Sequence, residues 1–563
     1  MLVAIVGCRH YIFAIIIIIV SKSIKINFSE KVGYALGDGA ANIAWRGVAT
    51  FLFVFYTDVF GINPVTVGML MLVARFSDGI SDVLMGIIGD RTKSKYGKFR
   101  PWILWTALPL GITLSLLFTT PSLSATGKII YAFSTYILFT LIYTANNIPY
   151  GALMAVITPD HKERTVLGSY RMVGAFAGGM IVQGALLFLV AQFGNVNPEI
   201  NILQLGEDRF EIAVSVSDDV ENVNIKTKDG IALLSHAMGA ATDSADRKAS
   251  SVNFSMQAGT KYVFMAEGDE NLTSEKISII DQKRGYSNAI YIMSVFLVLF
   301  MLITFITTRE RVQPPKHQQP DLKQDMKDLI RNKPWLILLV IGLLFNVYNS
   351  IKQGIVVIYF THFLNDQLMA GSYLVGLMIA SISGAMITAW LAKRLGKRRL
   401  FIFALIFSAI INSLLFLCGR EQVYLIFIIG MISEFGAAIF PTLFFAMLGD
   451  AADYSEYKNG RRATGLVYSA GSFATKFGGG IAGAIIGLVL GAFHYDGFNA
   501  VAIQGAIPGI RMLMSWIPAI VSIIAAGVMF LYPLTQHKMN EITTELNRRR
   551  TAESAQAINF KTN

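Results

Sequence analysis

Twelve runs of about twenty predominantly apolar residues recur along the chain, each long enough to cross a ~30 Å hydrocarbon layer as an α-helix. They lie near 33–58, 64–89, 101–120, 129–157, 166–193, 287–308, 334–362, 369–393, 398–418, 423–449, 463–492 and 508–533. No soluble core uses so much apolar material: hydrophobic residues fill 54% of the 563 positions and charged residues 15%. The pattern predicts an all-α, polytopic membrane protein of twelve transmembrane helices.

Charge sorts the connections. Those after runs 2 and 4 carry Arg91, Lys93, Lys95, Lys98 and Arg100, then Lys162 and Arg164. Those after runs 6, 8 and 10 are the basic stretches 309–333, 393–399 and 458–462. The connections after runs 1, 3, 7 and 9 are short and poor in Lys and Arg. Basic loops stay on the cytoplasmic side, so both ends of the bundle are expected in the cytoplasm, with the protein in the cell (inner) membrane. The formal charge of +11 sits in these loops and reads as topology, not as a nucleic-acid footprint. Cys8 and Cys418 are too far apart in sequence to suggest a disulfide framework or a metal-ligand spacing.

Residues 1–30 hold an apolar tract interrupted by Arg9 and His10, read as a dispensable extension; a signal-like segment and an extra span are the alternatives. The polar, Pro-containing stretch 311–333 suits a cytoplasmic linker between two six-helix halves, 31–193 plus 285–310 and 334–535, with 536–563 as a tail. Residues 194–284 are too many for a structureless loop. Their segments FEIAVSVSD, VNIKTKDG and VNFSMQAGTKYVFMAEGD, set between Asp/Gly turn signals, predict a small β-rich domain on the outer side. The basic exit GDRTKSKYGKFRP after run 2 has a weak echo, AKRLGKRRL, after run 8. Duplicated halves with a substrate site between them near mid-membrane are a transporter architecture.

Ionisable groups at membrane depth cost several kcal/mol each, ~2.5–3.5 on insertion scales, unless paired or wet, and so mark function. Asp78 and Asp82 stand one helical turn apart, with Arg75 on the same stripe and Ser81 between them. Two carboxylates and a hydroxyl suit Na⁺ and equally a shared proton. The competing reading is that Arg75 neutralises one acid, although one Arg cannot balance two. Run 1 sets Asn42 and Arg46 on one face, with Trp45 beside them and Asp38 a turn earlier. In YTANNIPYG, Pro149 frees a backbone carbonyl near Thr144, Asn146 and Asn147, as a cavity-lining break or a packing kink. Arg171, Lys352 and Lys476 are further deep cations against Glu434, the one deep acid of the second half, so the expected cavity stays net positive. AFAGG at 175–179 and FGGGIAGA at 477–484 read as close helix packing. No phosphate loop, zinc spacing or Ser/His/Asp order appears, and neither enzyme activity nor a cofactor beyond the coupling ion is expected.

Taken together, YTDVFG, LVARFSDGISDVLMGIIGDRTKSKYGKFRPW, YTANNIPYG, GDAADYSEYKNGRR and ATKFGGG resemble the glycoside-pentoside-hexuronide:cation symporters of the major facilitator superfamily. The likeness covers 31–193 and 287–534. It implies the major facilitator fold, a coupling-cation site at Asp78, Ser81, Asp82 and Thr144, and a sugar path near Arg171 and Lys476. It also implies a salt-bridged inner gate from Asp450, Asp453 and Glu456 with Arg461 or Arg462. Ser81 stands where the family's melibiose carriers have Asn, which leaves Na⁺ and H⁺ both open. The two acids that grip galactosyl hydroxyls in those carriers align with Asn42 and Asn147, and a stacking Trp aligns with Gly151. Two lost carboxylates beside Arg46 and Lys352 turn the expected cavity basic and favour a uronate or other anionic saccharide. The expected protein is a monomeric, cation-coupled sugar symporter whose partners are the sugar and membrane lipid. Its rivals are a neutral glycoside or pentoside symporter, a lysolipid carrier, and a receptor that senses ligand through the outer insertion.

Overall fold

The computed structural model describes residues 26–158, 161–196, 198–206, 209–216, 220–227, 232–234, 248–249, 251–257, 259–267, 277–311, 327, 329–459, 464–546 and 548–549. The expected N-terminal extension up to residue 25 and most of the 311–333 linker lie outside them, as do Arg461 and Arg462. The first half comprises α1 (Phe28–Val54), α2 (Pro64–Arg91), α3 (Arg100–Leu117), α4 (Ala125–Ile157), α5 (His161–Phe193) and α6 (Gln282–Thr307). The second comprises α7 (Lys333–Ile358), α8 (Gln367–Leu395), α9 (Lys397–Ser413), α10 (Val423–Ala437), α11 (Ile439–Asn459), α12 (Thr464–Ala492), α13 (Ala500–Met514) and α14 (Trp516–Met529). Eight helical spans among the described residues are long and apolar enough to cross a membrane by length and composition. α1 and α2, which carry Asp38, Arg46, Arg75, Asp78 and Asp82, are not among those eight.

Two of the expected runs are each divided in two. α10 gives way to α11 at Ala438 and α13 to α14 at Ser515. Pro441 and Pro518, each the third residue of the following helix, lack an N–H and would clash with the carbonyl four residues back. At the second break Asn412 Nδ2 donates to the carbonyls of Met514 and Ser515, at 3.1 and 2.8 Å. Pro149, by contrast, lies inside an α4 that continues through it. The first helix of each half ends alike: α1 runs into a π turn at Phe55–Val59 and α7 into one at Tyr359–Phe363.

Small residues set the closest helix approaches. A Cβ on Gly174 or Gly178 would collide with the backbone of Ala35 or Gly39, so α5 lies directly against α1. Gly480, Gly483 and Gly487 likewise leave room only for Arg75, Met71 and Pro64, which brings α12 of one half onto α2 of the other. Both glycine-rich segments thus serve packing. At the end of the first half, the Glu310 carboxylate accepts from the N–H groups of Lys98, Phe99 and Arg100 at 2.9, 2.7 and 2.9 Å, at the start of α3. Carboxylates are favoured at helix N-termini.

Among the described residues between α5 and α6 lie eight strands in two sheets, of order β1-β2-β7-β4-β5 and β6-β3-β8. β1 (Glu199–Gln204), β2 (Arg209–Ser215) and β7 (Tyr262–Glu267) pair antiparallel, as do β3 (Val220–Thr227), β6 (Ser251–Met256) and β8 (Ile277–Asp281). β4 (Ala232–Leu234) and β5 (Lys248–Ala249) complete the larger sheet. Phe210, Ile212, Val214 and Phe264 of one sheet meet Met256, Ile277 and Ile279 of the other in a core of their own. β8 leads straight into α6, with the Asp281 carboxylate accepting from Arg284 N–H at 3.0 Å, so that helix begins five residues before the apolar run. The sandwich caps one end of the bundle, the sandwich face.

Candidate functional site

The acid stripe on α2 is where the two halves share charge. Arg75 Nη1 donates to Asp78 Oδ2 at 2.6 Å and Nη2 to the Tyr136 hydroxyl at 2.7 Å, with the guanidinium over the Trp45 ring. Thr144 Oγ1 donates to Asp82 Oδ1 at 3.0 Å. Lys476, from α12 of the other half, bonds Asp82 Oδ2. The expectation of two unbalanced acids therefore needs correction: Lys476 supplies the second positive charge, and each carboxylate has a fixed basic partner. Ser81 Oγ donates to the Asp78 backbone carbonyl at 3.1 Å, not to either carboxylate.

A second pair lies on α1 and α5, where Arg171 Nε sits 3.3 Å from Asp38 Oδ1. Asn42 Nδ2 donates to the Asp38 carbonyl at 2.9 Å. The stacked rings of Tyr34 and Tyr150 brace this pair, with the Arg171 guanidinium over Tyr150.

A cavity of about 760 Å³ lies between the halves, from the middle of the bundle toward the end opposite the sandwich. Its wall includes Arg46 of α1, Ser169, Phe176 and Gln183 of α5, Lys352 and Asn349 of α7, Ser381 of α8 and Glu434 of α10. Lys352 Nζ lies 3.2 Å from Glu434 Oε2. Arg46 has no ion-pair partner among the described residues, so the charged groups on this wall, two cations and one acid, leave an excess of one positive charge. Of the residues expected to bind substrate, Arg46 and Lys352 line this cavity, whereas Asn42, Asn147, Arg171 and Lys476 do not.

In the segment expected to form an inner gate, Asp450 accepts from Lys397 Nζ with both oxygens at 2.7 Å. That pair joins α9 to α11 within one half. Asp453 and Glu456 follow on the same helix.

Sequence reasoning passed over a buried trio at the sandwich face. Asp58 and His362, one from each π turn, meet Tyr495 between α12 and α13. The signal was available: Thr57-Asp58 and Thr361-His362 occupy matching places at the ends of the first runs of the two halves.

Two helical halves, a cavity between them and shared charge across the interface define a membrane transporter of the major facilitator type. The comparisons agree: the model of the family described as MFS/sugar transport protein matches residues 33–215 and 243–536, and the chain belongs to that family. It is 30% identical over 496 residues to an isoprimeverose transporter of Lactiplantibacillus pentosus, covering 88% of this chain and 86% of that protein. It is 29% identical to the inner membrane symporter YicJ of Escherichia coli strain K12, covering 93% and 96%. Among solved structures, a bacterial homologue of the human lysosomal transporter Spinster, inward-facing and unoccupied, superposes with TM-score 0.60 at 12% identity, over 90% of this chain and 95% of that one.

Proposed function

We propose that the protein imports a saccharide together with a coupling cation, Na⁺ or H⁺, by alternating access. The observation that carries it is Asp82, gripped by Thr144 of its own half and by Lys476 of the other. A cation that takes the Asp82 oxygens must release the Lys476 ammonium, because two positive charges repel at one carboxylate. Cation arrival therefore loosens a bond between the halves, which is how ion occupancy biases their rocking. Coupling is reciprocal, so bound substrate tightens the cation in turn. Thr144, Asp82 and Asp78 supply the hard oxygens suited to Na⁺; a proton needs only one carboxylate.

Arg46 supports an anionic saccharide, a uronate or oligouronide, through a charge-assisted pair. The name of the isoprimeverose transporter favours the second reading, a neutral glycoside. With the basic connections in the cytoplasm, the cavity faces inward and the sandwich outward.

Counterflow and gradient-driven uptake in proteoliposomes test the proposal. Asp78→Asn and Asp82→Asn should abolish uphill accumulation. Concentrative uptake unchanged in both would remove this site from the mechanism. Exchange of neutral disaccharides without glucuronides or unsaturated oligouronides would reject the anionic cargo.

A further inference from the structure

We infer that Glu434 is the group that recognises saccharide hydroxyls, and that Lys352 is its positioning residue and does not contact the cargo, an assignment that rests on the saccharide-symport proposal. Burial divides the pair unequally: the Lys352 side chain is 2% exposed and that of Glu434 15%. The ammonium lies in the wall and the carboxylate stands at the cavity surface. Lys352 Nζ is held from behind by the Tyr348 hydroxyl at 3.2 Å and lies over the Tyr348 ring. Glu434 accepts from Lys352 with Oε2 and, at 2.9 Å, from Ser381 Oγ with Oε1. A carboxylate has about four acceptor positions, so one on each oxygen remains for the cavity. Two acceptor oxygens side by side match the O–H groups of a vicinal diol, and hydrogen bonds to a charged acceptor are the stronger kind.

A purely structural ion pair explains this arrangement less well. Buried pairs add little net stability over apolar side chains of the same size. The rest of this wall is largely apolar, with Phe176, Leu377 and Met378 among its residues, so aliphatic side chains would have packed there. Arg46, on the opposite half, lines the same cavity as Glu434. Acceptors on one half and a cation on the other fit a cargo that carries adjacent hydroxyls at one end and an anionic group at the other.

The test is counterflow in proteoliposomes with methyl β-D-glucuronide and isoprimeverose, each beside its monodeoxy analogues. In the wild type, removing the recognised hydroxyl should raise half-saturation about 10- to 100-fold, the worth of a hydrogen bond to a charged group. In Glu434→Gln the parent sugar should weaken by a similar factor, while parent and deoxy analogue become equal to within about twofold. Ser381→Ala, a milder change, should shrink the discrimination without abolishing exchange. In Lys352→Gln discrimination should shrink, because Glu434 Oε2 loses the ammonium that orients it, and Lys352→Arg, which restores a cation there, should recover part of it. Undiminished discrimination in both Glu434→Gln and Ser381→Ala would overturn the assignment while leaving saccharide transport intact. If the wild type exchanges neither probe, the saccharide proposal itself fails, and this assignment with it.

Discussion

His362 Nε2 lies 2.9 Å from Asp58 Oδ2, and the Tyr495 hydroxyl is 2.8 Å from both Asp58 oxygens and 2.9 Å from the same ring nitrogen. The two residues are 304 positions apart, each in the π turn that ends the first helix of its half. Burial, with Asp58 adding to it, pushes the Tyr495 phenol well above its ordinary range, so it remains a proton donor at physiological pH. The trio joins the two halves at the sandwich face while the cavity lies toward the other end.

Breaking this contact should open that face. Loss of a hydrogen bond to a charged group costs about 1.5–3 kcal/mol, and Tyr495 keeps the remaining partner satisfied. Asp58→Asn and His362→Ala should each speed labelling of a Thr361→Cys reporter by an impermeant maleimide about tenfold or more. Thr361 is buried beside the trio. The assay needs a background with Cys8 and Cys418 replaced. Labelling rates equal to the unmutated background would mean that the trio does not hold the face shut.

Gly480 is a second such point. A side chain there meets Arg75, whose guanidinium anchors Asp78 and Tyr136, so bulk on α12 acts on the acids of α2. Gly480→Val should destabilise the protein by about 1–3 kcal/mol, as overpacking does, and depress coupled uptake more than downhill exchange. Gly151→Ala is the control, since nothing lies within 4 Å of its added carbon, and it should change stability by less than about 0.5 kcal/mol. Thermal unfolding in detergent separates the two variants. Equal midpoints would refute the packing account.

What the chain revealed in advance follows from the range over which each signal acts. Local periodicity made the runs legible, and one-turn spacing made the Asp78–Asp82 stripe legible. Partners remote in sequence were not, because which helix faces which is decided by packing: Lys476 lies 394 residues from Asp82. For the same reason the pairing of Arg171 on α5 with Asp38 on α1 is not written in either segment alone. The helix breaks at Ala438 and Ser515 were readable from Pro441 and Pro518 but hidden by continuous hydrophobicity. The π turns have no residue signature of their own, so the pairing of Asp58 with His362 shows in the sequence only as matching places at the ends of the first runs of the two halves.

The sandwich should be removable. Its two ends already meet, since Asp281 N–H donates to the Gly194 carbonyl at 2.7 Å, and its core is separate from those of the helices. Replacing 196–280 by a short Gly/Ser bridge while keeping Asp281 as the α6 cap should leave counterflow within about twofold of wild type. A receptor that binds through the insertion would instead lose every ligand response. Complete loss of flux in a correctly inserted, monodisperse variant would show that the sandwich belongs to the transport path.

Lys476 gives the sharpest test of ion coupling. If it merely braces α12 against α2, Lys476→Gln should weaken cation binding or leave it unchanged. If it competes with the cation for Asp82, removing its charge should strengthen binding, because the carboxylate then keeps only the neutral Thr144 hydroxyl as a partner. The half-saturating Na⁺ concentration in Na⁺-driven uptake, or the proton concentration if H⁺ drives it, should fall about tenfold or more, each factor of ten being about 1.4 kcal/mol. Sugar exchange without a gradient should persist while uphill accumulation declines, since the ion would leave too slowly on the inner side. Measuring cation binding directly, by calorimetry or a competition dye, keeps this result separate from any effect on the sugar. Weaker binding in Lys476→Gln would assign the lysine to the architecture and return the coupling role to Asp78, Asp82 and Thr144 alone.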